Sequence, residues 1–170
     1  NELDSKLRFG IFGCSGIAKK STIPAIQNSK FAELVMIGSR SESKAEKFAD
    51  EFHCEQFGTY NDVIANDSLD AVYISTPIGM HEEWTIKAAN TGKHILCEKS
   101  STTSFESAKK MIGVCNDNNV RIMEGFMFRF HPQHQKVREL IDNNSIGELF
   151  SFNGSFGFPK FPDGDIRYNS

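Results

Sequence analysis

Five short apolar runs punctuate the first part of the chain: RFGIFG (8–13), ELVMIGS (33–39), DAVYIS (70–75), HILCE (94–98) and VRIME (120–124). They are rich in Ile, Val and Leu, as parallel strands buried on both faces are. Between them, apolar residues recur at helical spacing. SESKAEKFADEF (41–52) sets Ala45, Phe48, Ala49 and Phe52 on one face, with Ser41 as N-cap. MHEEWTIKAANTG (80–92) ends at Gly92, a C-cap residue, and 104–119 starts at Ser104 and carries Ala108, Met111, Ile112 and Cys115 on one side. Strand–helix alternation at this period predicts an α/β fold with a doubly wound parallel sheet. Its ligands bind at the edge where the strands end.

The pattern changes after Phe126. HPQHQKVRELIDNNSIGE (131–148) predicts a helix with Pro132 in its first turn and Gly147 past its end. LFSFNGSFGF (149–158) alternates like an antiparallel strand, and eight of the fifteen phenylalanines lie at or beyond Phe126. The expectation is a first domain over 1–126 and the beginning of an α+β domain over 127–170.

The chemistry of the first domain is sought just past each strand. After the first come Gly13, Cys14, Ser15, Gly16, Ile17 and Ala18. A dinucleotide fingerprint reads G-x-G-x-x-G/A, and here Gly13, Ser15 and Ala18 hold the key positions. Small side chains let the backbone approach a pyrophosphate, which the helix amides then bind; the Ser15 hydroxyl is a further donor. Pro24 predicts that the following helix is interrupted and restarts near PAIQ. After the second strand, Ser39-Arg40-Ser41 stands where an NAD site would place Asp or Glu. Arg40 is either an exposed loop residue or the partner of a 2′-phosphate, the latter favouring NADP over NAD. Thr76-Pro77 follows the third strand, at the edge a nicotinamide would pass, and His81 is either a helix-start or a pocket residue. Glu98-Lys99-Ser100 follows the fourth: a surface ion pair, or a lysine that takes and gives a proton.

Composition narrows the classes. The 39% hydrophobic and 24% charged residues are those of a globular chain, and the net charge of −3 gives no pull toward nucleic acid or an anionic membrane. No apolar run reaches the ~20 residues of a membrane span, and the polar start has no signal-peptide core. Cys14, Cys54, Cys97 and Cys115 match neither a zinc nor a redox spacing, which predicts reduced thiols in a cytoplasmic protein. His131 and His134 share a helix face, but no third ligand accompanies them, so no metal is expected.

Taken together, LRFGIFGCSGIAKKSTIPAI, STPIGMHEEWTIKAANTGKHILCEKS and EGFMFRFHPQ resemble the glucose–fructose oxidoreductase / inositol dehydrogenase / rhizopine-catabolism (GFO/IDH/MocA) family, along essentially the whole chain. The resemblance implies an NAD(P)-binding Rossmann domain followed by an α+β domain whose open sheet often joins subunits into homo-oligomers. It implies an oxidoreductase that moves a hydride between the nicotinamide and a carbinol or carbonyl of a sugar, cyclitol or diol. By position, Gly13, Ser15, Gly16 and Ile17 would bind the pyrophosphate. Ser39, Arg40 and Lys44 would hold the adenosine ribose and its phosphate. Thr76, Pro77 and His81 would line the nicotinamide side, with Glu98 on the nicotinamide ribose. Lys99 would be the proton-transfer or substrate-orienting lysine, Arg129 would lie near the cofactor at the domain junction, and Arg167 would approach the cofactor or substrate.

This chain departs from the family pattern in three places. Ser100 replaces the usual proline after Lys99, which loosens the backbone there, and Ile78 stands where Asn is common. The chain stops at Ser170, so the remaining substrate-domain strands and the Tyr or His completing the catalytic set are expected later, in a longer protein. A non-catalytic dinucleotide or sugar sensor on the same scaffold is the alternative. A methyltransferase is disfavoured because the acidic residue it needs after the second strand is absent.

Overall fold

The computed structural model describes residues 5–155, 157, 159 and 160. The chain divides into two compact units, Asn1–Phe126 and Met127–Ser170. The first holds a six-stranded parallel sheet: β1 (Leu7–Phe12), β2 (Ala32–Gly38), β3 (Gln56–Gly58), β4 (Ala71–Ile74), β5 (His94–Cys97) and β6 (Ile122–Glu124). The order β3-β2-β1-β4-β5-β6 reverses between β1 and β4, which opens a crevice at their carboxyl ends.

Alternate residues of each strand feed opposite faces. Ile11, Ile37 and Tyr73 pack with Ile23, Ile26 and Ala49, from α1 (Ile23–Gln27) and α2 (Glu42–Glu51). Phe12, Val72 and Ile74 pack with Val63, Trp84, Ala88 and Cys115, from α3 (Tyr60–Ala65), α4 (His81–Asn90) and α5 (Phe105–Asp117). Burying each large aliphatic or aromatic side chain stabilises the sheet by roughly 1.5–3 kcal/mol. At the crevice end the rings of Phe12, Tyr60 and Trp84 meet with centroids 5.0–5.5 Å apart.

The helix after the glycine turn is interrupted as Pro24 predicts. It is helical from residue 16, widens to a π-turn over Ala18–Thr22 and resumes as α1, because proline has no N–H to continue an α ladder. Ser104 caps α5 by accepting the Ser107 amide at 3.1 Å, and Gly92, past the end of α4, takes φ +74°. The sequence pattern missed β3 and α3. β3 has only three residues, two of them exposed. α3 is a six-residue helix started by a capping box, in which Thr59 Oγ1 accepts the Asp62 amide and the Asp62 carboxylate accepts the Thr59 amide.

In the second unit, α6 (Pro132–Asp142) ends sooner than the expected stop just before Gly147 because Asn144, at φ +54°, turns the chain. The strand expected over 149–158 is not found: the described residues there form no strand. An extended segment needs a partner for its amides and carbonyls, and the described residues of this unit include no strand to supply one.

Candidate active site

β1 runs straight into the glycine turn, and Gly13 donates its amide to Gly38 O at 3.0 Å, prolonging the β1–β2 pairing by one residue. Gly13 has φ +100°, and a Cβ there would lie 3.3 Å from both Ser75 O and Ser75 Oγ. Glycine is therefore demanded by the backbone and by the approach of the β4 loop. Ser15 Oγ accepts the Ala18 amide at 3.1 Å and donates to Ser75 Oγ at 2.9 Å. Ser75 lies 3.1 Å from Phe12 O and Gly13 O. The Ser15 hydroxyl, expected as a donor to phosphate, is thus used to cap the helix and tie the β1 loop to the β4 loop. The ladder opens with Lys19 N–H to Ser15 O, so the amides of Gly16 and Ile17 precede it. A Cβ on the exposed Gly16 would meet no heavy atom within 4 Å. The protein itself leaves that space open, and first-turn amides beside open space fit a pyrophosphate.

At the tip of β2, Ser39 is buried, while Arg40, Ser41 and Lys44 are exposed. The Tyr60 hydroxyl lies against the Arg40 backbone. Burial pushes the Cys14 thiol above its usual value, with Ser39 and Lys44 opposing that shift. Arg40 and Lys44 flank the exposed Glu42 at this tip, and the two cations outnumber the one carboxylate, which suits an extra phosphate.

Past β4, Thr76 is 7% exposed, and among the described residues its Oγ1 has no hydrogen-bond partner. Pro77 is exposed. His81 is 2% exposed, with Nε2 2.7 Å from Thr76 O and Nδ1 3.1 Å from Ser100 O. Its ring is spent on the backbone of two loops, so its influence on the site passes through them.

Past β5, the Glu98 carboxylate accepts the Tyr73 hydroxyl at 2.7 Å and the Lys99 amide at 3.2 Å. Lys99 is exposed, and among the described residues no ion pair joins it to Glu98. The Lys99–Ser100 peptide is cis. Burial pushes the Tyr73 phenol well above its usual value, with Glu98 adding to the effect, so Tyr73 remains a donor. Burial, then Glu124 and Glu98, raise the Cys97 thiol to about 12. All four cysteines are free.

One sheet edge therefore gathers Gly13, Ser15, Gly16, Ile17, Ser39, Arg40, Thr76, Pro77, Glu98 and Lys99, with Lys44 on the helix beyond. Arg129 is exposed in the second unit, and Arg167 lies outside the described residues. His131 caps α6 by accepting the Gln133 amide at 3.2 Å, and His134 packs edge-on against Phe128, so each has a local role. Among the described residues no three His, Cys, Asp or Glu side chains cluster as metal ligands, and no helix is long and apolar enough to cross a membrane. Sequence reasoning missed Ser75, Tyr73 and Glu124, each of which braces a strand-end loop through a long-range hydrogen bond.

A family model described as an oxidoreductase family with an NAD-binding Rossmann fold, GFO_IDH_MocA, matches residues 7–126. Dideoxyglucose 3-reductase from Actinomadura kijaniata (dTDP-3,4-didehydro-2,6-dideoxy-alpha-D-glucose as substrate) is 38% identical over 96% of this chain and 49% of its own length. D-xylose 1-dehydrogenase (NADP(+)) 2 from Haloferax volcanii is 43% identical over 95% of this chain and 50% of its own. The crystal structure of KijD10, a 3-ketoreductase from A. kijaniata with NADP and TDP-benzene, superposes with a TM-score of 0.86 at 38% identity, over 96% of this chain and 50% of that one. Scyllo-inositol dehydrogenase from Lactobacillus casei, with NAD(H) and scyllo-inositol, gives a TM-score of 0.76 at 25% identity, over 85% of this chain and 43% of that one. The chain spans about half the length of the curated relatives it matches.

Proposed function

The chain belongs to the GFO/IDH/MocA oxidoreductase family, and from that membership we propose that the full-length protein is an NADP(H)-dependent enzyme acting on a carbinol or carbonyl of a sugar, cyclitol or diol. The observation that carries the proposal is the open space at Gly16, in the first helical turn, beside a Gly13 backbone that disfavours any side chain. The amides of Gly16 and Ile17 would hold the pyrophosphate, Gly13 would let the backbone approach it while its own amide stays on Gly38 O, and Ser15 keeps the turn in shape. Arg40 and Lys44, with Ser39 and Ser41, hold the 2′-phosphate. Thr76, Pro77 and His81 would shape the wall on the nicotinamide side, and Glu98 would meet the ribose.

Bound nicotinamide supplies the hydride chemistry. The chain supplies position and proton management. Lys99 Nζ takes the hydroxyl proton when a carbinol is oxidised and returns it when a carbonyl is reduced. Arg129 and Arg167 belong to the same proposal as residues approaching the cofactor or substrate. Four free thiols suit a reducing, cytoplasmic setting. Phe150 and Phe152, 88% and 90% exposed, suit burial against further protein, in keeping with a homo-oligomer.

Titration with NADPH and NADH tests the reading. Trp84, the single tryptophan, is packed on Phe12 next to the glycine turn and reports binding by its fluorescence. NADPH is expected to bind about tenfold or more tightly than NADH, and Arg40→Asp to abolish the difference. Equal affinities for both nucleotides in both proteins overturn the Arg40 assignment.

A further inference from the structure

Lys99 sits on a long, flexible stem, so the position of its amine is only as definite as the backbone that carries it. That backbone is held from several sides. Tyr73 in β4 fixes the Glu98 carboxylate at 2.7 Å, and His81 at the start of α4 sits 3.1 Å from Ser100 O. From β6, the Glu124 carboxylate accepts the Ser101 amide at 2.7 Å. Gly125 N–H to Cys97 O at 2.7 Å keeps the end of β6 tight against the end of β5. A Cβ on Gly125 would lie 3.4 Å from Glu98 Oε1, an ordinary contact distance, so the end of β6 runs beside the Glu98 side chain. Glu124 is half-buried, and a carboxylate in that setting bonded to a backbone amide makes a strong, directional restraint.

We propose that Glu124 is a positioning residue: by holding the Ser101 amide it fixes the segment that presents Lys99 to the substrate. The proposal rests on the reading of Lys99 as the proton-transfer group. Glu124 does not itself touch the reacting atoms. It acts through two intervening residues, and what it controls is where Lys99 Nζ can be. Misplacement of a reacting group by about 1 Å is enough to cost a large factor in rate.

The test uses the full-length protein with Glu124→Ala, which removes the acceptor, and Glu124→Gln, which keeps a carbonyl oxygen in its place. Reductive 13C-methylation of lysines reports the environment of each amine, with the Lys99 resonance assigned by its loss in Lys99→Arg. The Lys99 resonance is expected to shift or broaden in Glu124→Ala, and to return toward wild type in Glu124→Gln. The resonances of Lys87 and Lys110, which pair with Glu83 and Glu82, serve as the control for intact folding. With D-xylose and NADP as the probe reaction, kcat is expected to fall about tenfold or more in Glu124→Ala, with cofactor affinity within about twofold of wild type. A Lys99 resonance that does not move in folded Glu124→Ala overturns the positioning role, whether or not D-xylose is turned over. A resonance that moves, in a protein whose Lys99→Ala variant keeps full turnover, upholds the restraint and overturns the reading of Lys99.

Discussion

Two glycines three residues apart make opposite demands. Gly13 is required by its own chain: φ +100° disfavours any L side chain, and Ser75 stands 3.3 Å from where a Cβ would go. Gly13→Ala is expected to lose about 1–3 kcal/mol of stability, read as a lower thermal midpoint by circular dichroism. Gly16 has nothing within 4 Å of its absent Cβ and lies in the first helical turn. Gly16→Val is therefore expected to leave stability within about 1 kcal/mol of wild type. It is expected to weaken NADPH binding at least tenfold, because the branched side chain fills the space over the amides. A Gly16→Val protein that binds NADPH normally would remove the cradle from the argument. Gly13, Ser15, Gly16 and Ala18 were legible because the fingerprint is local. Ser75 and Glu124 were not, because their bonds reach across 60 and 23 residues to Ser15 and Ser101. The role of Ser15 was legible only in part, since its partner Ser75 was unknown.

At the opposite end of the sheet, β1 is tied to the residue before β4. The Arg8 guanidinium grips Asp70 through two bonds of 3.0 and 2.9 Å, and the Arg8 amide adds a third at 2.9 Å. The Arg8 side-chain bond holds the Asp70 carboxyl below the usual carboxylate range. A depressed folded pKa means the stabilisation is complete above the unfolded value, about 3.9, and is lost as pH falls through the folded one. Thermal melts by circular dichroism from pH 7 downward are expected to show wild type losing part of its midpoint below about pH 4. Asp70→Asn is expected to melt lower at pH 7 and to lose less on acidification. Identical acid profiles for the two proteins would show that the pair does not couple to folding. Both side chains are partly exposed, so the effect is modest. Elements of ten residues or so were legible from periodicity alone, as α2, α4 and α5 show. β3 and α3 were too short for any period to register. The Thr59–Asp62 capping box was the available local signal, and Val63 then packs where Gly38 leaves the sheet bare: a Cβ there would lie 2.6 Å from Val63 Cγ2.

Strand–helix alternation was enough to imply a parallel sheet, but the order of its strands is a property of the whole molecule. Reversal between β1 and β4 is what makes two loops, from residues 13–15 and 75–77, the walls of one crevice. The described residues of 149–158 form no strand for the same reason in reverse, since alternation marks a strand that could form and only a neighbour makes it one. The cofactor proposal has a consequence at this scale. Every residue proposed to hold the pyrophosphate and the 2′-phosphate lies within Asn1–Phe126, as does Trp84. A ligand that binds only the folded state adds about 2.7 kcal/mol at one hundred times its Kd. Trp84 fluorescence is therefore expected to report a melting transition that rises by roughly 5–15 °C with saturating NADPH. The rise is expected to be smaller with the same concentration of NADH, and the two nucleotides to act alike in Arg40→Asp. A Trp84 transition insensitive to both nucleotides at millimolar concentration would mean that the crevice, however well shaped, binds neither, and the oxidoreductase reading would fall with it.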